Sequence, residues 1–298
     1  MPRYLPLIVR DRLQWYVHSS PHEYIPCLHL CSVCALSGRF HRPLLLAHGT
    51  EVFQVVYHRS QMTWKTISGS LNRISAGSVT NVWGVSSSFD IFRYTGDDSN
   101  PWVQIPGVLY DIGVGADGTV WGVDSNTAIF RYTPGMPATD NWLRIAGNLT
   151  RISVGSCTNV WGVNADGGIF RYSGDDSNPW INIPIGPTGG LSDIGAGADG
   201  TVLGVNSSGQ AYRYTGDQGD PNHWAIVPGS TTLSAISCGV KTNVWGANAP
   251  ASGLLAVYTF LNDGWVQING GLSDIGTGAD GVVWGVNAAS IIFRWIRD

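Results

Sequence analysis

Glutamate is absent after Glu51, and after residue 61 His223 is the only histidine. A glycosidase built there would need two aspartates to flank the scissile bond. Ser/His/Asp catalysis would have one histidine and no nucleophile motif to support it, so no catalytic residue is assigned. Charge is sparse too. Only 13% of residues are charged, the net charge is -4, and no basic run could neutralise a phosphate backbone, so nucleic acid is not an expected partner. No run of about 18 uncharged apolar residues occurs, so no membrane span is expected. After residue 61 there are only two cysteines, Cys157 and Cys238. The fold therefore cannot depend on a disulfide framework, a reducing compartment suits it, and a cytoplasmic location is the expectation.

Composition breaks near Met62. Residues 1–61 carry six of the seven histidines, three of the five cysteines, both glutamates and only two of the 39 glycines. Twelve of the 13 tryptophans lie after that point. Within the first segment, Ile25 to Leu36 has the length of a signal-peptide core, but its late start and the internal His29 argue against a cleaved leader. Cys27, Cys31 and Cys34 follow a CxxxCxxC spacing, too loose to specify a zinc or iron–sulfur site, and no metal or cofactor is expected. Residues 1–61 read as a poorly structured extension, with Glu51 to Tyr57 as a stray strand. Residues 62–298 read as the working domain.

From Trp64 onward one text recurs six times: a Trp-led segment, an IxxG segment, a VWGV-like segment and an IFRY-like segment. The leading tryptophans are Trp64, Trp102, Trp142, Trp180, Trp224 and Trp265, at a spacing typical of propeller blades. Each unit offers four short β-rich runs bounded by Gly, Asp, Asn and Pro. The expected fold is all-β, a six-bladed propeller of four-stranded antiparallel blades. Gly, Ser and Ala in segments such as DIGVG and RISAG suit the crowded axis, so these are the innermost strands. The Asp-Gly pairs at Asp117, Asp199 and Asp280 predict two-residue hairpin turns before the second strand. The last unit ends without an outer strand, and Trp64 to Ile67 must supply it, closing the ring.

A second period overlies the first. Odd units read TNVWG where even units read ADGTVWG or a close variant, so the ring is three copies of a two-blade unit. The inner strands begin at Arg73, Asp111, Arg151, Asp193, Ala235 and Asp274, a near alternation of charge that predicts ion pairs around one channel mouth. Asp97-Asp98 and Asp175-Asp176, before Ser-Asn-Pro, read as Asx turns.

The pattern IGxGADGTVWGV followed by IFRY and a Trp-led strand resembles the tectonin repeat over residues 64 to 295, and is similar to the fungal, mushroom-type tectonins. That resemblance implies a six-bladed lectin for O-methylated sugars, such as methylated mannose or fucose on bacterial or nematode glycans, held between adjacent blades. Agglutination in defence would follow. More distant relatives in horseshoe crabs and fish eggs imply lipopolysaccharide as another ligand.

A sugar offers an apolar C–H face and a fringe of hydroxyls, so its site needs an aromatic or aliphatic wall with fixed polar groups. The candidates are Trp83, Trp121, Trp161, Trp245 and Trp284; Arg93, Arg131, Arg171, Arg213 and Arg294; and Asn81, Asn159 and Asn243. The fourth unit has Leu203 in place of the tryptophan, and the fifth is read with Val257 in place of the arginine. Each class has a structural alternative: inter-blade packing for Trp, pairing across blades for Arg, turn formation for Asn. A propeller scaffold that binds proteins is the competing function, and assembly of several rings is compatible with either.

Overall fold

The computed structural model describes residues 62–135, 141–184, 189–216, 223–229, 231–248 and 255–297, together with the backbone of four strands before them. Those four form two antiparallel hairpins, Arg3–Val9 with Leu13–Ser19 and Leu44–His48 with Glu51–Val55. The rest of residues 1–61, including Cys27, Cys31 and Cys34, lies outside the described residues.

Residues 63–296 form a second unit, which carries the propeller. Its strands are only three to seven residues long, because Gly, Asn, Asp and Pro interrupt each apolar run. They group into six four-stranded antiparallel blades. The first blade runs from axis to rim as Arg73–Ser78, Asn81–Val85, Asp90–Tyr94 and Trp102–Val108. The inner strands of blades two to six are Asp111–Val114, Arg151–Ser156, Asp193–Ala196, Ala235–Val240 and Asp274–Thr277. In the sixth blade the order is Asp274–Thr277, Val283–Val286, Ile292–Arg297 and then Met62–Ile67, so the N-terminal strand closes the ring as expected.

The core is divided among the blade interfaces. Among the described residues six apolar clusters form, each drawn from two adjacent blades; one joins Trp161, Val163 and Ile169 to Leu191, Ile194 and Val202. Each VWGV strand is buried on both faces because a neighbouring blade packs on either side.

Two expectations change. The ADG turns are three-residue loops. Gly118 N–H donates to Gly115 O at 3.1 Å and Gly115 N–H to Thr119 O at 2.8 Å, with only Gly118, at φ 91°, in the left-handed region. Asp117 has no positive φ, and both its carboxylate oxygens are engaged: Oδ1 accepts Thr119 N–H and Oδ2 accepts Cys157 N–H of the next blade. In the fifth blade Trp245 pairs with Thr259, so Thr259 holds the arginine position, while Val257 lies opposite Ala247 where the first blade has Ile91 opposite Val85. The misreading was a slip of two residues, which keeps every side chain on its face and so leaves the hydrophobic alternation intact.

Candidate inter-blade site

Strand register aligns one row of side chains per blade. The first row is Ser75, Trp83, Arg93 and Val103; the second is Gly113, Trp121, Arg131 and Leu143; the third is Ser153, Trp161, Arg171 and Ile181. The fourth is Gly195, Leu203, Arg213 and Ala225, the fifth Ser237, Trp245, Thr259 and Val266, and the sixth contains Gly276, Trp284 and Arg294. Cross-strand partners share a face, and this face is turned toward the next blade. Trp83 meets Tyr132 with ring centroids 5.0 Å apart, Trp121 meets Tyr172 at 4.9 Å, Trp161 meets Tyr214 at 4.8 Å and Trp284 meets Tyr94 at 4.9 Å.

Along a row the environment changes from axis to rim. The five candidate tryptophans are buried, none more than 6% exposed. Four arginines lie over them, with guanidinium carbons 5.9, 5.4, 5.7 and 5.2 Å from the ring centroids for Arg93, Arg131, Arg171 and Arg294. Arg213, which has Leu203 in its row, lies instead over Phe260 of the next blade at 5.8 Å. In the first three rows an exposed aliphatic residue comes outside the arginine: Val103 (40%), Leu143 (37%) and Ile181 (42%); in the fifth, Val266 (45%) lies outside Thr259, and in the fourth Ala225 lies outside Arg213. The structure thus brings Trp and Arg together in four rows and adds an apolar patch beyond them in the first three.

The three asparagines serve the ring. Asn81, Asn159 and Asn243 each accept the indole N–H of the tryptophan two residues on, at 2.9, 2.7 and 2.9 Å. Each also donates from Nδ2 to a glycine carbonyl of the next blade: Gly115, Gly197 and Gly278. Even blades have Thr or Val at this place, and the indole N–H groups of Trp121 and Trp284 have no protein acceptor.

Carboxylates in the DDSN loops divide the rims into two kinds. Arg131 makes a bidentate pair with Asp176 of the next blade, at 3.0 and 2.8 Å, and also donates to Tyr172 Oη. Arg294 does the same with Asp98, at 3.1 and 2.8 Å, and Lys65 joins at 2.7 Å. Burial pushes the Asp98 carboxyl up, but hydrogen bonds from Lys65 and Tyr94 and the charge of Arg294 outweigh it and hold it at about 2. No carboxylate among the described residues pairs with Arg93 or Arg213. The preceding aspartates, Asp97 and Asp175, form the expected Asx turns with Ser99 and Ser177.

At the opposite ends of the inner strands lies the charged mouth. Arg73 is 3.9 Å from both Asp111 and Asp274, and Arg151 is 3.9 Å from Asp193. Burial opposes the charge on Arg73, but Asp274 and Asp111 outweigh it and raise its pKa. Ala235 stands where a third arginine would complete the alternation. Burial, only partly offset by Arg151, pushes Asp193 up to about 7, and burial against the single partner Arg73 also raises Asp274. Each aspartate is also structural: Asp111, Asp193 and Asp274 accept the backbone N–H of Ile152, Ile236 and Ile74 in the following blades. Reciprocally, Ser75, Ser153 and Ser237 accept backbone N–H groups of Val114, Ala196 and Thr277. Six alternating bonds encircle the axis, which is the physical content of the two-blade period. Among the described residues no group of His, Cys, Asp or Glu could hold a metal ion.

Two signals were missed in the sequence. The residue after each leading Trp is repeatedly Val, Leu or Ile, and the second Asp of each DDSN pair recurs at a constant distance from a Tyr. Both repeat with the blade period and could have been read from it.

Against known proteins, the Tectonin domain family model matches residues 47–186. No curated protein matches the chain. Among solved structures, the WD40 β-propeller domain of Doa1 superposes with a TM-score of 0.51 at 8% identity, covering 80% of this chain and 98% of that one. YCF48 from Cyanidioschyzon merolae gives 0.48 at 16% identity, covering 79% and 88%. At such identities the likeness to solved structures is one of fold.

Proposed function

We propose that the chain is a multivalent lectin whose inter-blade rims bind O-methylated glycans, such as methylated mannose or fucose on bacterial or nematode surfaces, in a defence role. The observation that carries this reading is the repeated row in which an arginine over a buried tryptophan stands beside an exposed Val, Leu or Ile. A methylated sugar needs that pairing of a fixed donor and an apolar patch. One buried methyl group contributes about 0.8 kcal/mol. A hydroxyl left without a partner against the aliphatic residue loses roughly 1 to 3 kcal/mol more, which favours the methylated form. The tryptophans support from behind, holding the guanidinium in place.

The rim at Arg93, beside Val103, is open to ligand, whereas Asp176 and Asp98 occupy Arg131 and Arg294; Arg213 meets no carboxylate among the described residues, but its row has Leu203 and Ala225 in place of the tryptophan and the exposed aliphatic residue. This reading assigns binding rather than catalysis, because those rim carboxylates are ionised and engaged with arginine. A single site is expected to be weak, with a dissociation constant near millimolar, about -4 kcal/mol. Several on one ring can gain on the order of 100-fold through effective concentration.

A glycan array that includes O-methylated mannose and fucose tests the reading; no bound glycan at high protein density would sink it. Arg93→Ala should lower binding of the methylated probes by about tenfold or more, the effect of losing charge-assisted hydrogen bonds, and Arg213→Ala should lower it less. Both side chains are exposed, neither meets a carboxylate among the described residues, and exposed ring contacts are worth about 0.5–1 kcal/mol, so the thermal midpoint should change little. Unaltered binding in Arg93→Ala would move the site elsewhere on the ring.

A further inference from the structure

At the charged mouth, on the face opposite the DDSN loops, blades six, one and two enclose a recess of about 250 Å3. Its lining includes Asn72, Arg73, Phe89, Tyr110, Ser273 and Asn287. Two of these residues break the repeat. Phe89 occupies a turn position that blades two, three, four and six fill with Thr127, Gly167, Gly209 and Ser290, all at positive φ. Phe89 itself has φ 69°, a conformation that is strained for a bulky side chain, and it remains 41% exposed. Tyr110 precedes the inner strand where the other blades have Asn72, Thr150, Ser192, Ser234 and Ser273, and it is 38% exposed. An aromatic held in a left-handed turn without being buried gains nothing for the fold, and strain of this kind collects at ligand sites.

The two rings stand 6.2 Å apart at 41° and form an open aromatic cradle. The polar groups around it are mostly donors. Asn72 Oδ1 accepts from Ser290 Oγ at 2.6 Å, and Asn287 Oδ1 accepts the N–H groups of Ala289 and Ile291, which leaves both Nδ2 groups for the recess. Arg73 and Arg151 lie 5.9 and 5.5 Å from the Tyr110 ring centroid. The ligand that fits has an apolar ring face and an exocyclic acceptor carrying no proton. Charge then selects among acceptors. Three carboxylates, Asp111, Asp193 and Asp274, already face the two guanidiniums, so the mouth offers no surplus positive charge for a carboxylate.

We propose that this recess is a single, unrepeated subsite for a neutral acylated pyranose, with the sugar ring on Phe89 and Tyr110 and the acyl carbonyl directed at Arg73, Asn72 and Asn287. Its volume admits one monosaccharide. It is separate from the inter-blade rims and does not rest on them.

Saturation-transfer NMR on the full chain tests it with three separate probes: methyl N-acetylglucosaminide, methyl glucoside and methyl glucuronide. The N-acetyl probe should bind saturably in the millimolar range and more tightly than the other two. Phe89→Gly should weaken it by about tenfold or more, and Tyr110→Ser should do the same. Because glycine relieves the left-handed strain, Phe89→Gly should have a thermal midpoint no lower than that of the parent, so lost binding cannot be ascribed to lost folding. Absence of saturable N-acetyl binding, preference for the glucuronide, or full affinity in Phe89→Gly would each overturn the proposal. Binding of O-methylated glycans should be unaffected by Phe89→Gly, so failure at the rims and failure at the mouth are read separately.

Discussion

Gly155→Ala is expected to lower the thermal midpoint by about 10 °C, or to prevent folding, although the residue is small, buried and far from any rim site. A Cβ there would stand 2.2 Å from the carbonyl oxygen of Gly197 in the next blade. Two effects compete. Gly155 has an ordinary backbone conformation, so alanine would restrict the unfolded chain and stabilise by about 0.4–1 kcal/mol. The clash is with backbone, which no rotamer change relieves, and overpacking a rigid core costs about 1–3 kcal/mol or more. The clash wins, because Gly197 is itself held on its far side: the adjoining Ala198 N–H donates to the carbonyl of Gly239, one blade further round the ring, at 2.8 Å. At this size each kcal/mol moves the midpoint by about 2–4 °C. Gly77 and Gly239 are equivalent, with a Cβ 2.1 Å from Gly115 O and from Gly278 O. Gly174 is the control. It has φ 90° and nothing within 4 Å of a Cβ, so Gly174→Ala should show only the smaller cost of a left-handed alanine, about 1 kcal/mol. Scanning calorimetry of the two variants checks the ranking, and equal midpoints would refute the steric account.

What the amino-acid text revealed and what it concealed divide along physical lines. Closure by Trp64 to Ile67 was legible because the last repeat lacks an outer strand, and a strand left out of one end must be found at the other. The innermost position of the Gly-rich strands was legible too, since few other segments could tolerate backbone in contact with backbone. The Asp-Gly turn was misread because Asp117 also serves a contact 40 residues away, at Cys157 N–H, that local turn preference does not contain. Asn81, Asn159 and Asn243 were recognised as special, but an amide that bridges its own tryptophan and the next blade looks the same in sequence as one that awaits a ligand. Phe89 was passed over because one exposed phenylalanine in a serine-rich turn is unremarkable until its φ and its neighbours are known.

The missing arginine at Ala235 sets the second large effect, a stability that falls toward alkaline pH. Asp193 has a folded-state pKa of about 7, above the roughly 3.9 of a free aspartate, so between those values the folded protein binds more protons than the unfolded one. Its stabilising proton is fully present below pH 4 and is lost as pH rises through 7, at a cost on the order of a few kcal/mol. Asp274, also raised, acts in the same direction. At the acid end the sign reverses. Asp98, held at about 2, and Asp117, Asp176 and Asp199, all lowered, contribute stability above pH 4 that disappears as pH falls through their folded values. The midpoint should therefore peak near pH 4–5 and drop by roughly 10 °C by pH 8, followed through tryptophan fluorescence of the propeller. Ala235→Arg should place a guanidinium between Asp193 and Asp274, lower both carboxyls and remove most of the alkaline loss. The variant would then be more stable than the parent at pH 8 and closer to it at pH 4.5. A parent midpoint that is flat from pH 4.5 to 8 would show that the two carboxylates are already balanced without a third arginine.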